Sequence, residues 1–154
     1  MHKQGAGMKE FMGELQVLFG YPRNIILLAI RFVLAYGFSQ PAILKMNNIH
    51  ETVRWFTELS IPFPALIAYL VTGLESVGII LLVLGFFTRF ISIFLSMVML
   101  GAIYFVHLPN GFSVANNGIE IPLYYFTFFM LLISFGAGKF SLDRLFFEKG
   151  EENG

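Results

Sequence analysis

The chain has 154 residues, 56% hydrophobic and 17% aromatic, with only 13% charged, ten basic against ten acidic. Soluble domains carry about 25% charged residues, so this composition, with a mean hydropathy of +0.73, indicates an integral membrane protein. Zero net charge leaves no basic field for nucleic acid, and the absence of cysteine excludes disulfides, thiolate metal sites and cysteine-ligated iron–sulfur clusters.

Near the N-terminus, Met8, Phe11, Met12, Leu15, Leu18 and Phe19 share one helical face until Gly20 and Pro22 interrupt it. Residues 1–23 are therefore expected to form a short amphipathic surface helix, with a partly ordered tail as the alternative. They lack a continuous apolar core ending in a small-residue cleavage site, so no cleavable signal peptide is expected. The first span, about 24–44, carries Arg31 as its only charge. At 100° per residue, Arg31, Ala35, Ser39, Ala42 and Lys45 fall on one stripe, the pattern of a helix–helix face. Pro41 is expected to loosen its outer end.

Residues 46–64 read as a connection containing a short interfacial helix, with Ile49, Val53, Phe56 and Ser60 on one face and Trp55 beside them. The second span, about 65–87, has Ala68, Thr72, Glu75 and Ser76 as its small and polar stripe, and Gly85 to Arg89 makes a tight turn. The third, about 90–107, places Ser92, Ser96 and His107 on one side, with Tyr104 at its edge. A turn-rich loop, Leu108 to Gly118, leads to the fourth, about 119–137, where Glu120, Tyr124, Thr127 and Ser134 align. Lys139 to Phe147 predicts a short surface helix capped by Ser141, and 148–154 a solvated tail.

The fold expected is an all-α integral membrane protein. It is an antiparallel four-transmembrane-helix bundle with short amphipathic interfacial helices, formed by residues 24–147, its polar stripes turned inward. Lys3, Lys9, Arg23, Arg89, Lys139, Arg144 and Lys149 fall on one side of this topology; Lys45 and Arg54 fall on the other. The positive-inside rule then places both termini in the cytoplasm of a multi-pass cell-membrane protein.

Five residues are candidates for a ligand or proton site: Arg31, Lys45, Glu75, His107 and Glu120. Helical rise puts Arg31 ~10 Å and Glu75 ~20 Å from the cytoplasmic ends of their spans, within an arginine's reach of each other. A buried Arg31–Glu75 pair would fix helix register; intramembrane ionisable groups also serve head groups and protons, and both readings stand. Lys45, His107 and Glu120 are expected at one depth near the outer face. There the helix dipole alone accounts for a terminal carboxylate and histidine, and a shared pocket is the functional reading. A metal held by His50, Glu51, His107 and Glu120 is the weakest alternative, since no paired-ligand spacing occurs; no metal site is expected.

An ordered set of features runs from Ile25 to Arg144. It comprises Arg31 followed by Lys45, Ile61-Pro62-Phe63-Pro64, Glu75, the turn LGFFTR (Leu84 to Arg89), His107, Gly118-Ile119-Glu120 and the ending GAGKFSLDR (Gly136 to Arg144). In these the chain resembles the DoxX family of small four-helix membrane proteins, whose bacterial inner-membrane members have a similar turn and ending. The resemblance implies the fold and points toward quinone-linked oxidoreductase systems, although one fold hosts many activities. The leading reading is the small membrane component of such a system, with no redox centre of its own. A bound quinone is then the cofactor or substrate to expect, with a membrane or soluble oxidoreductase as partner. The alternatives are a non-enzymatic anchor or stabilising subunit and, less favoured, a small transporter or channel built by homo-oligomerisation.

Overall fold

The computed structural model describes the backbone of residues 4–148 and the side chains of residues 13–14 and 22–147. Its described residues form helices and connecting loops: α1 (Gln4–Asn47), α2 (Ile49–Glu58), α3 (Pro64–Leu84), α4 (Thr88–Ala102) and α5 (Glu120–Phe135). α4 widens into a π-turn at Ile103–His107 and ends in a 3-10 turn at Leu108–Asn110. Three helical stretches are long and apolar enough to cross a membrane: Pro22–Asn47, Pro64–Leu84 and Thr88–Asn110. α5 is apolar but has 16 residues, ~24 Å of helix against a hydrocarbon core of ~30 Å. It ends early because Gly136 and Gly138 both take positive φ, 74° and 79°, a conformation that leaves the helix.

The break expected at Gly20 and Pro22 does not occur. α1 is one helix of 44 residues with Pro22 and Pro41 inside it. Proline withholds one amide and crowds the preceding turn, but helix flanking it on both sides tolerates that loss, as membrane helices commonly do. The amphipathic face from Met8 to Phe19 lies outside the described side chains, and the expected tail beyond 148 outside the described residues. α2 occupies the middle of the expected interfacial connection and buries Thr52 and Phe56.

Successive long helices alternate in direction. Leu34, Leu82, Leu95, Phe129 and Leu132, each 0% exposed, bring α1, α3, α4 and α5 to one core. Apolar side chains gain little from leaving lipid for protein, so this core is held by close packing, and small residues set the approach. A Cβ on Gly78 would lie 2.8 Å from Leu95 Cδ1, and one on Gly37 would overlap the Tyr125 ring, which stacks on Phe38. Outside the core the helices present Tyr36, Leu66, Ile80, Phe90 and Met97, all exposed, as a lipid-facing surface requires.

Candidate functional site

Two buried charges organise the bundle, and they do not meet each other. Glu75, 2% exposed in α3, forms an ion pair with Lys45, whose Nζ lies 2.7 Å from both carboxylate oxygens. Arg31, 1% exposed, donates only to backbone carbonyls: Nε to Leu82 (2.8 Å), Nη2 to Val83 (2.9 Å), and Nη1 to Ala137 (3.0 Å) and Phe140 (2.7 Å). This corrects the expected Arg31–Glu75 pair, and the direction in which helical side chains lean explains it.

Cα–Cβ bonds tilt toward a helix's N-terminus. In the antiparallel α1 and α3, Arg31 therefore leans toward the start of α1 while Glu75 leans toward the start of α3, at the opposite end. Their heads diverge. Lys45, near the end of α1, leans back along its own helix and so toward Glu75. Arg31 reaches instead the last turn of α3, whose carbonyls have no amide partner within the helix and carry the negative end of its dipole.

Beside the Lys45–Glu75 pair runs a groove of about 370 Å³, lined by Met46, Ile49, Tyr69, Thr72, Gly73, Ser76 and Val77. Met46, Tyr69 and Val77 are exposed on the outside of the bundle, so the groove opens toward lipid. Its polar floor is the Ser76 hydroxyl, which donates to the Thr72 carbonyl at 2.7 Å and lies 3.1 Å from Met46 Sδ. The buried Thr72 hydroxyl has no hydrogen-bond partner among the described residues. Small-molecule sites occupy about 300–1,000 Å³. The Thr72 hydroxyl is closed off from the groove, whose size and apolar wall suit a small ring.

The expected cluster of Lys45, His107 and Glu120 is likewise corrected. With Lys45 drawn to Glu75, the other two hold the loop between α4 and α5. His107 Nδ1 lies 2.8 Å from the Asn117 carbonyl, and Glu120 accepts from the Val114 amide (2.9 Å) and the Tyr124 hydroxyl (3.2 Å). Glu51 pairs with Arg54, whose hydrogen bond and charge hold the carboxyl below its ordinary range. Among the described residues no three His, Asp or Glu side chains gather as metal ligands.

Sequence reasoning missed Asp143. Its carboxylate accepts from the Phe87 amide (2.6 Å) and the Thr88 amide (2.9 Å), capping the start of α4, while its own amide donates to the Gly85 carbonyl at 2.9 Å. The turn LGFFTR and the ending GAGKFSLDR are thus folded on each other with Arg31 between them. Gly85 has φ 65°, and a Cβ there would stand 2.7 Å from Arg31 Cζ.

No solved structure matches the chain. An uncharacterized protein of Haemophilus influenzae is 34% identical over 82% of this chain and 86% of its own length. The Escherichia coli "Inner membrane protein YphA" is 32% identical over 82% of this chain and 94% of its own. The Bacillus subtilis "Putative oxidoreductase CatD" is 27% identical over 82% and 90%. Residues 26–108, from the first long helix through the end of the third, match the family model DoxX. The chain belongs to the DoxX family.

Proposed function

We propose that this chain is the small membrane component of a quinone-linked oxidoreductase system, taking a quinone head from the bilayer into the groove beside Lys45 and Glu75. In this reading α5 completes a four-span bundle by local thinning of the bilayer. Both termini lie in the cytoplasm, as the basic residues on that side favour. The observation that carries the reading is the juxtaposition of a buried ion pair with a lipid-facing groove lined by the pair's chain neighbours Met46 and Ser76. The name of the Bacillus relative, "Putative oxidoreductase CatD", agrees with it, as does the inner-membrane naming of the Escherichia coli relative.

Reducing a quinone takes two electrons and two protons. The electrons come from a partner oxidoreductase, and this chain supplies binding and proton handling. Lys45 and Glu75 stand behind the groove lining, so Lys45 would offer its ammonium to a ring oxygen only on turning away from Glu75, which then offers an acceptor that a proton can occupy. Lys45, two residues from the end of α1, is the member of the pair nearest water and the route by which protons are replenished.

The test is mass spectrometry of quinones extracted from protein purified in mild detergent. Quinone should accompany the wild-type chain at near-stoichiometric level and fall in Glu75→Gln and groove-filling Gly73→Leu variants that keep their thermal stability. A folded wild-type chain with no more quinone than an unrelated membrane protein defeats the reading. Recovery of a reproducible soluble partner from the same membranes would then favour the anchor alternative.

A further inference from the structure

At the opposite end of the bundle from Lys45 lies a cavity of about 1,080 Å³, enclosed by the starts of the α1 span and of α4, the end of α5 and the C-terminal segment. Arg23, Arg89, Lys139 and Arg144 line it, with Phe87 and Phe135 among its aromatic residues. Among the described residues the carboxylate on the wall, Asp143, has both oxygens engaged by the Phe87 and Thr88 amides. Arg144 has a partner of its own, and Arg23, Arg89 and Lys139 outnumber that carboxylate three to one around a concave space.

The wall is built to keep these cations in place. The Arg23 guanidinium sits 5.0 Å from the Phe135 ring centroid, a cation–π contact that orients it without neutralising it. Gly136 presents no side chain, and a Cβ there would lie 3.1 Å from Arg89 Nε, so Arg89 lies against bare backbone. Lys139 is positioned through its amide, which donates to Asn24 Oδ1 at 2.9 Å. The depth is fixed too, because Pro22, Thr88 and Phe135 are ends of apolar helical stretches. The cavity therefore lies at the boundary between hydrocarbon and water.

We propose that this cavity binds the phosphate of an anionic lipid headgroup, with Arg23, Arg89 and Lys139 on the phosphate oxygens and the phenyl rings against the first methylenes of the acyl chains. Arginine forks suit phosphate oxygens, and basic pockets between membrane helices are a recurrent way of holding such headgroups. A free phosphate offers the same oxygens but nothing for the rings, which favours the lipid as the source. This site is separate from the groove beside Glu75 and stands whether or not that groove takes a quinone.

The experiment is thermal unfolding and native mass spectrometry of the full chain in a neutral detergent, titrated with phosphatidylglycerol, phosphatidylcholine or inorganic phosphate. Phosphatidylglycerol should raise Tm saturably and remain bound as a discrete adduct, whereas phosphatidylcholine should do neither. The double variant R89Q/K139Q should weaken phosphatidylglycerol about thirtyfold, since each membrane-surface cation contributes roughly fivefold. R89K should restore part of this, and R54Q at the other end should leave binding unchanged. An equal shift with inorganic phosphate would keep the phosphate site and overturn the lipid as its source. Equal stabilisation by both lipids, or unchanged binding in a folded R89Q/K139Q protein, would overturn the proposal.

Discussion

The separation of Arg31 from Glu75 can be measured as an absence of coupling. Arg31→Met removes four hydrogen bonds from one buried guanidinium. Leu82 keeps the Gly85 amide at 3.2 Å, and each of the three carbonyls left without a partner costs on the order of 1–3 kcal/mol, so even with partial rescue by water the loss reaches several kcal/mol. Glu75→Gln strands Lys45, which costs at most about 3–5 kcal/mol for a fully buried partner. Here it should be less, because the Lys45 side chain retains 18% exposure and sits two residues from the end of α1, where it can swing to water.

Arg31→Met should therefore be the more destabilising single change. Combined with Glu75→Gln its effect should add to within about 0.3–0.5 kcal/mol, as for sites sharing no partners. Lys45→Met with Glu75→Gln should instead recover about 1–3 kcal/mol of the summed losses, the mark of a direct pair. Reversible unfolding in mixed detergent micelles would supply the free energies. A coupling above about 1 kcal/mol between Arg31 and Glu75, together with additivity of Lys45 and Glu75, would refute the assignment of partners.

Asp143→Ala should cost about 1–2 kcal/mol by uncapping α4, and amide exchange at Phe87 and Thr88 should speed up while the core of α3 stays protected. No such local change would mean that the Asp143 carboxylate does not hold the turn. For topology, reporters fused at Asn48 and Asn116 should read external and one after Gly154 internal; an external reading after Gly154 would invert the bundle.

Which residues face inward was legible from periodicity in α1, α3 and α4 but not in α5, whose expected polar stripe points outward: Tyr124, Thr127 and Ser134 are exposed while Phe129 and Leu132 are buried. Arg31, Thr72, Glu75, Ser92 and Ser96 are all buried, each on the stripe that 3.6-residue spacing assigns. Which of them meet was not legible, because residue counting gives the height of a Cα on its helix axis but not the lean of the side chain above it. An arginine and a glutamate less than two helical turns apart in height diverge when their helices are antiparallel, while a lysine further away converges. One half of the Arg31 clamp lies in the ending GAGKFSLDR and the other at Leu82 and Val83, just before the turn LGFFTR, yet nothing local in either segment says that a residue more than 50 positions earlier binds both. Asp143 was hidden for the same reason, since a carboxylate in a polar ending looks solvated until the amides it caps arrive from another hairpin. The length of α1 was misjudged because Pro22 resembles a stop signal, and a proline within a membrane-associated helix need not act as one.

The Arg31 guanidinium also imposes an order on biogenesis. Its acceptors at Leu82 and Val83 emerge 51 and 52 residues after it, and those at Ala137 and Phe140 emerge 106 and 109 residues after it. At about 5–20 residues per second of synthesis, the arginine waits on the order of 5–20 s for its last partners. During that interval α1 is a hydrophobic helix with an unneutralised charge, more costly in lipid than beside water or an insertion machine. The first helix is thus kept from settling into the bilayer until the last hairpin is made. A chain stopped before Ala137 retains a buried charge with half its acceptors missing.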